Sequence, residues 1–302
     1  MTEIVVVGSL NLDTTARVSH LPAPGETVLG TGHTSDTGGK GANQAVAAAR
    51  LGRQVAMVGR VGADDSGRRI TDVLAAEGVS VDRVSVDDTA PTGMAFITVD
   101  GFGENMIVVS PGANATLSVT DIERSADVIA GARVLLLQLE IPLEVVHHAA
   151  ALCRGIVVLN PAPAAELSAG LLEAVDILVP NRTELALLTG SDPATTPEAI
   201  VEQLELLPVG AGIVTLGADG ALVRADGQTT RVPAPVVDAV DATAAGDAFC
   251  AGLADALAGG ATPLEAARWG VRVGAATATR PGAQAALPTR REVEALAEPP
   301  KK

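Results

Sequence analysis

Short runs of β-branched and other apolar residues recur along this chain, separated by longer Ala- and Leu-rich stretches of helical period. The runs are Ile4–Val7, Val55–Val58, Val134–Leu139, Ile156–Leu159, Ile177–Val179 and Ile213–Leu216. Asn43–Leu51, Gly67–Glu77, Leu143–Cys153 and Pro197–Leu207 carry the helical pattern. An unbroken run such as Ile4–Val7 needs cover on both faces. Strands that alternate with helices pair in parallel, with the helices packed on either side. The expected fold class is therefore α/β, with a mainly parallel central sheet. Two segments depart from this pattern. Thr14–Thr37 is rich in Thr, Gly and Pro, and Thr92–Ser110 alternates through Met94, Phe96, Met106 and Val108 around a turn at Asp100, Gly101 and Gly103. These read as antiparallel strands of a separate small sheet with one face less buried.

The chain has 302 residues, of which 47% are apolar, enough for a large core of one or two domains. The net charge of −15 disfavours nucleic acid and anionic membrane as partners. Backbone amides and Mg²⁺ can nevertheless bind phosphates without a basic surface. Cys153 and Cys250 lie in Ala-rich surroundings and are expected as buried free thiols, consistent with a cytoplasmic location. The N-terminus runs straight into Ile4–Val7 without a basic region or cleavage site, so no signal peptide is expected. No apolar run is long enough to span a membrane. Pro299, Pro300, Lys301 and Lys302 read as a frayed tail.

Chemistry concentrates in Asp241–Asp247, a turn of small residues followed by the helical stretch Ala248–Leu257. Gly and Ala there permit close approach of a phosphoryl group, and the helix start offers unpaired N–H donors. Asp247 in that first turn is either an acid stabilised by the helix dipole or a general base beside an anion site. A second motif, Gly38-Gly39-Lys40-Gly41-Ala42-Asn43, serves either a tight turn or backbone approach to a ligand. It is not a Walker A loop, because the spacing is wrong and Gly41 replaces Ser or Thr.

The ordered set of motifs resembles the ribokinase-like sugar kinase family over nearly the whole chain. It comprises Gly8-Ser9-Leu10-Asn11-Leu12-Asp13, Pro24-Gly25-Glu26-Thr27, Gly38–Asn43, Gln138-Leu139-Glu140, Asn160-Pro161-Ala162-Pro163, Pro180–Glu184, Thr215-Leu216-Gly217, Gly246-Asp247 and Gly282-Ala283-Gln284. The resemblance implies a three-layer sandwich with a small β-sheet lid, formed by about 14–37 and 91–110 within a single domain spanning 1–302. It further implies ATP-dependent phosphorylation of D-ribose at the 5-hydroxyl. Another pentose, deoxyribose, a hexose or a nucleoside remains an alternative acceptor, and a non-catalytic sensor of sugar or nucleotide is an alternative of another class.

By the same resemblance, Asp247 would be the base and the amides of Ala244, Ala245 and Gly246 the anion hole. Asn11, Asp13, Gly39, Lys40, Asn43 and Glu140 would line the sugar site. From residue type alone, Asp13 could equally form a turn and Glu140 a solvated strand end. Asn181 and Glu184 would organise Mg²⁺ and the ATP phosphates, while also fitting an N-cap and its N3 acid. Thr215, Gly217 and Gly220 would bind nucleotide, or simply turn a hairpin. A monovalent cation, K⁺, would rest on Asp241 and on carbonyls of Thr243, Thr277, Arg280 and Gly282; Asp241 could otherwise merely start a turn. Ala242, Ala286 and Val271 depart from the family pattern around these sites. A homodimer through the lid is implied as well. With no Tyr, one Trp and three Phe, the chain has little aromatic surface for base stacking.

Overall fold

Ile4–Val7 (β1) shows why the chain forms layers. Ile4 and Val6 enter one hydrophobic core, while Val5 and Val7 enter a second core on the opposite face. Each strand side therefore needs its own cover of helices. The computed structural model describes residues 2–296, so the tail expectation for Pro299–Lys302 lies outside the described residues.

In chain order the strands are β1, β2 (Asn11–Arg17), β3 (Gly32–Gly38), β4 (Val55–Gly62), β5 (Ser80–Asp87), β6 (Gly93–Val99), β7 (Asn105–Ser110), β8 (Val134–Leu137), β9 (Ile156–Leu159), β10 (Ile177–Leu178), β11 (Ala211–Thr215), β12 (Ala221–Ala225) and β13 (Gln228–Val232). The helices are α1 (Lys40–Arg50), α2 (Asp65–Ala76), α3 (Val119–Glu123), α4 (Ala126–Gly131), α5 (Leu143–Leu152), α6 (Ala169–Glu173), α7 (Arg182–Thr189), α8 (Pro197–Glu205), α9 (Ala245–Ala258), α10 (Pro263–Thr277) and α11 (Arg290–Glu294).

The central sheet has nine strands in the order β13-β12-β11-β10-β9-β8-β1-β4-β5. It is parallel from β5 through β11 and ends in the antiparallel hairpin strands β12 and β13. Residues of α1, α2, α9, α10 and α11 fill the core on one face, and residues of α3–α6 fill it on the other. A smaller core joins α7 and α8 to β11 and β12. Strand order reverses at β1: the chain leaves toward β4 and β5, then returns to β8 and continues the other way. In such sheets the crevice beyond the strand ends at the reversal is the usual ligand site.

The two departing segments supply a second sheet, in the order β3-β2-β6-β7. The β6–β7 hairpin is antiparallel as expected, though β7 is exposed at every residue rather than on alternate ones, and β2 and β6 run parallel, so this sheet is mixed rather than antiparallel. The expectation failed because pairing between distant strands leaves no local signature, unlike a hairpin turn. The sheet leaves Phe96, Met106, Ile107, Val108 and Val109 exposed. Cys250 is buried as expected and Cys153 is only half-buried; both thiols are free. Among the described residues, no helix is long and apolar enough to cross a membrane.

Candidate active site

The C-terminal ends of the parallel strands bring the motifs together. β1 runs into Gly8–Leu10, and β8 runs into Gln138, Leu139 and Glu140. Asn160 follows β9, Asn181 lies beyond β10, and Thr215 ends β11. Helices α1 and α9 both begin at this rim, so two helix N-termini could receive an anion.

Hydrogen bonding separates them. At α1 the Lys40 amide donates to Glu140 Oε2 at 3.1 Å, the Gly41 amide to Ser9 Oγ at 3.3 Å, and the Ala42 amide to the Ser9 carbonyl at 3.0 Å. The Asn43 amide reaches the Gly39 carbonyl at 2.9 Å. Every early donor of α1 is thus used by the protein. Gly39 enters this helix with φ 88°, a conformation that favours glycine. At α9 the Ala245 amide closes the preceding turn onto the Ala242 carbonyl at 3.1 Å. The amides of Ala244, Gly246 and Asp247 have no acceptor among the described residues. Ala244 itself sits in the left-handed region at φ 59°, unusual for a residue with a Cβ. Gly246 is exposed, and a Cβ there would meet no protein atom within 4 Å. The space over Gly246 is open, so of the two helix starts it is α9 that keeps free donors an anion could meet. The anion hole expected from Ala244, Ala245 and Gly246 changes accordingly, because the Ala245 donor is already engaged and the Asp247 amide is free.

Asp247 is buried at 7% exposure. Its Oδ2 accepts from Asn43 Nδ2 at 3.0 Å and its Oδ1 from Gln44 Nε2 at 3.1 Å. Burial pushes its carboxyl above the usual range, and Glu140 adds to that rise. Lys40 and the two amides act in the opposite direction. The Lys40 ammonium is held above its ordinary range: burial opposes this, but the carboxylates of Asp247, Glu140 and Glu184 outweigh it. Lys40 lines a cleft of about 230 Å³ together with Asn181, Glu184, Thr215, Gly246 and Asp247.

Asp13 is raised to about 6, first by burial and then by the charges of Glu140, Asp247 and Asp36. It lies within β2, not in a turn, and its carboxylate occupies the space a Cβ on Gly38 would take. Glu140 accepts from Ser9 Oγ as well as from the Lys40 amide, so it is anchored rather than solvated. Asn11 is buried, and its Oδ1 accepts from Asn114 Nδ2 at 2.7 Å. Asn43 Oδ1 is a buried acceptor without a partner, available to a sugar hydroxyl.

Asn181 and Glu184 form the expected capping box at the start of α7, with both bonds at 2.8 Å. Glu184 uses only Oε2 there, which leaves Oε1 free in the cleft, and burial raises its carboxyl. Thr215 lines the cleft. Gly217 and Gly220 shape the turn between β11 and β12, and a Cβ on Gly220 would lie 2.0 Å from the Val232 carbonyl, so the protein itself requires that glycine. Asp241 Oδ1 accepts from the Thr243 amide and hydroxyl at 2.9 and 2.6 Å, and its Oδ2 accepts from the Gly282 amide at 2.8 Å. The carbonyls of Thr243, Arg280 and Gly282 carry no bond among the described residues, whereas the Thr277 carbonyl accepts the Arg280 amide at 3.2 Å. A carboxylate beside free carbonyls is a donor set of hard oxygens, which suits a hard cation rather than a thiophilic transition metal.

Sequence reading missed Ser9, Gln44, Asn114 and Gln138. Their partners lie from 32 to 203 residues away, and only Gln138 and Ser9 fell inside motifs at all.

A family model described as pfkB family carbohydrate kinase matches residues 1–290. The chain belongs to the pfkB carbohydrate kinase family. It is 41% identical over 294 residues to a ribokinase from Haemophilus influenzae, covering 96% of both chains. The crystal structure of a Thermotoga maritima ribokinase superposes with a TM-score of 0.90 at 37% identity, covering 98% of this chain and 99% of that one. The Arabidopsis thaliana ribokinase complexed with ribose and ATP superposes at 0.89 and 32% identity, covering 97% and 98%. The fold is therefore the ribokinase-like α/β sandwich, and the cleft described above lies beyond the C-terminal ends of β9, β10 and β11, to one side of the reversal at β1.

Proposed function

We propose that this pfkB kinase phosphorylates D-ribose at the 5-hydroxyl with ATP, giving D-ribose 5-phosphate and ADP. The observation that carries this reading is the pairing of a buried Asp247 with the free amides at the start of α9. Asp247 takes the proton of the sugar hydroxyl as its oxygen bonds to the γ-phosphorus and the bond from that phosphorus to the bridging oxygen breaks. The amides of Ala244, Gly246 and Asp247, with the Lys40 ammonium, stabilise the transferring group. Asn11, Asp13, Gly39, Asn43 and Glu140 orient the sugar, since polyols need fixed donors and acceptors. Ribose and ATP in the Arabidopsis relative support this choice of substrates.

Glu184 Oε1 and Asn181 would hold Mg²⁺, largely through water, and the ion would neutralise phosphate charge. Asp241 with the carbonyls of Thr243, Arg280 and Gly282 would hold K⁺, with Ala286 adding no hydroxyl. Segments 14–37 and 91–110 would act as a lid over the sugar within one domain spanning 1–302. The exposed apolar residues of β6 and β7 support a homodimer through that lid; a monomer by light scattering at working concentration removes this reading. Two free thiols support a reducing, cytoplasmic setting, which fractionation would test.

A substrate panel read by kcat/KM, with and without potassium, tests the function. Ribose should lead deoxyribose, other pentoses, hexoses and nucleosides, and potassium should raise its turnover. Ribose binding without ADP release would point to a sensor instead.

Asp13 gives a pH prediction. Protonation removes an acceptor, so kcat/KM for ribose should fall as pH drops through about 6. The effect on folding has the opposite sense. The folded pKa exceeds the ordinary aspartate value of 3.8, so the native state binds more protons between the two. Asp13 thus favours folding most below that value, and the contribution is lost as pH rises through about 6. Asp13→Asn should raise KM for ribose and flatten the acid limb, while raising the melting temperature at pH 8. A lower melting temperature there would overturn the electrostatic account.

A further inference from the structure

Asp247 does not stand alone in the core. Gln44, which donates to its Oδ1, accepts through its own Oε1 from Gln138 Nε2 at 2.6 Å. Gln44 and Gln138 are both 0% exposed. A buried carboxamide can present either its oxygen or its NH₂ to a neighbour, and the wrong end would set oxygen against the Asp247 carboxylate. The donor from Gln138 holds the Gln44 oxygen away from Asp247. Its cost is visible at the far end: Gln138 Oε1 is a buried acceptor without a partner. Gly8 admits that amide, because a Cβ there would lie 2.0 Å from Gln138 Oε1.

We propose that Gln44 is a positioning residue for the Asp247 carboxylate, and that Gln138 determines which end of the Gln44 amide Asp247 meets. With Asn43 on Oδ2 and Gln44 on Oδ1, two donors on separate oxygens fix the plane of the carboxylate before any sugar arrives. This inference rests on the reading of Asp247 as the base. The relay also bears on titration, since a donor to the charged form favours it. The other groups facing Asp247 are Lys40 and Asn43 from α1, Glu140 beyond β8, Asp13 from β2, Glu184 from α7 and Cys250 from α9. All of them are unchanged when residue 138 is altered.

The test compares Gln138→Glu and Gln138→Met with the intact enzyme, with Asp247→Asn as control. Once ionised, Gln138→Glu offers only acceptors to Gln44, which must then turn its NH₂ toward residue 138 and its oxygen toward Asp247. While protonated, the new carboxyl can still donate, so the effect grows as pH rises through its titration. Gln138→Met removes the donor without adding charge. In the glutamate variant kcat should fall about 10-fold, KM for ribose should change little, and the acid limb of the kcat profile should move to higher pH. The methionine variant should shift the limb in the same direction by less, and it decides the matter if the glutamate variant does not fold. Thermal melts establish the folded fraction. An unmoved acid limb, or a loss of kcat that only tracks the folded fraction, overturns the relay. Near-wild-type turnover of Asp247→Asn instead overturns the base assignment, so the two failures are distinguishable.

Discussion

Asp247→Asn should turn over about 10³-fold more slowly than the unaltered enzyme while still binding ribose. The substitution keeps the size of the side chain but removes its capacity to take a proton. It also exchanges one acceptor for an NH₂, which must face a donor of Asn43 or Gln44 at a position where the carboxylate accepts from both. The proposed sugar contacts of Asn11, Asp13 and Glu140 come from β2 and the segment after β8 and do not pass through α9, so affinity should persist. Coupled ADP release measures the first quantity and calorimetry the second. Turnover within tenfold of the original would leave Asp247 as a helix-start acid and nothing more.

The largest effect on folding is expected two turns farther along the same helix. Asp255 is 1% exposed and accepts from Arg53 Nε at 2.6 Å, from Arg290 NH2 at 2.7 and 2.8 Å, and from Trp269 Nε1 at 2.7 Å. One carboxylate thereby ties α9 to the segment after α1, to α10 and to α11. Asp255→Ala leaves the indole N–H without its acceptor and the Arg53 guanidinium with Glu3 alone. Removing one partner of a buried ion pair costs about 3–5 kcal/mol. A denaturant midpoint shift without a change of slope would register the loss. Because Asp255 lies about 12 Å along the helix from Asp247, the folded fraction should keep its turnover at low temperature. A loss below about 1 kcal/mol would place this pair among exposed surface bridges instead.

Much of this arrangement was legible from residue order. The runs at Ile4–Val7 and Ile156–Leu159 form strands at those limits, and Asn181 with Glu184 forms the capping box that their spacing implies. The hairpin around Asp100–Gly103 announced itself through alternation and glycine. Such features depend on neighbours a few residues apart. By contrast, β2 begins at Asn11, where turn-forming residue types hid a strand. Its parallel pairing with β6 joins residues about 80 positions apart, for which no local pattern exists.

For the site the division is sharper. The resemblance of the ordered motifs to a sugar kinase family brings Asp247, Glu140 and the glycine loop into one kinase reading. Residue type fits it, since close phosphate approach demands small residues and proton transfer demands a carboxylate. The sequence already places the anion at the start of α9, and leaves the glycine loop before α1 as a tight turn or an approach to a ligand. The tertiary structure added why the α1 start does not compete: Ser9 and Glu140 consume its donors, while the amides around Gly246 stay open. It also decided that Asp247 is buried and held by Asn43 and Gln44, partners 204 and 203 residues away. Burial and hydrogen-bond partnership belong to the packed chain, and no spacing along the sequence encodes them.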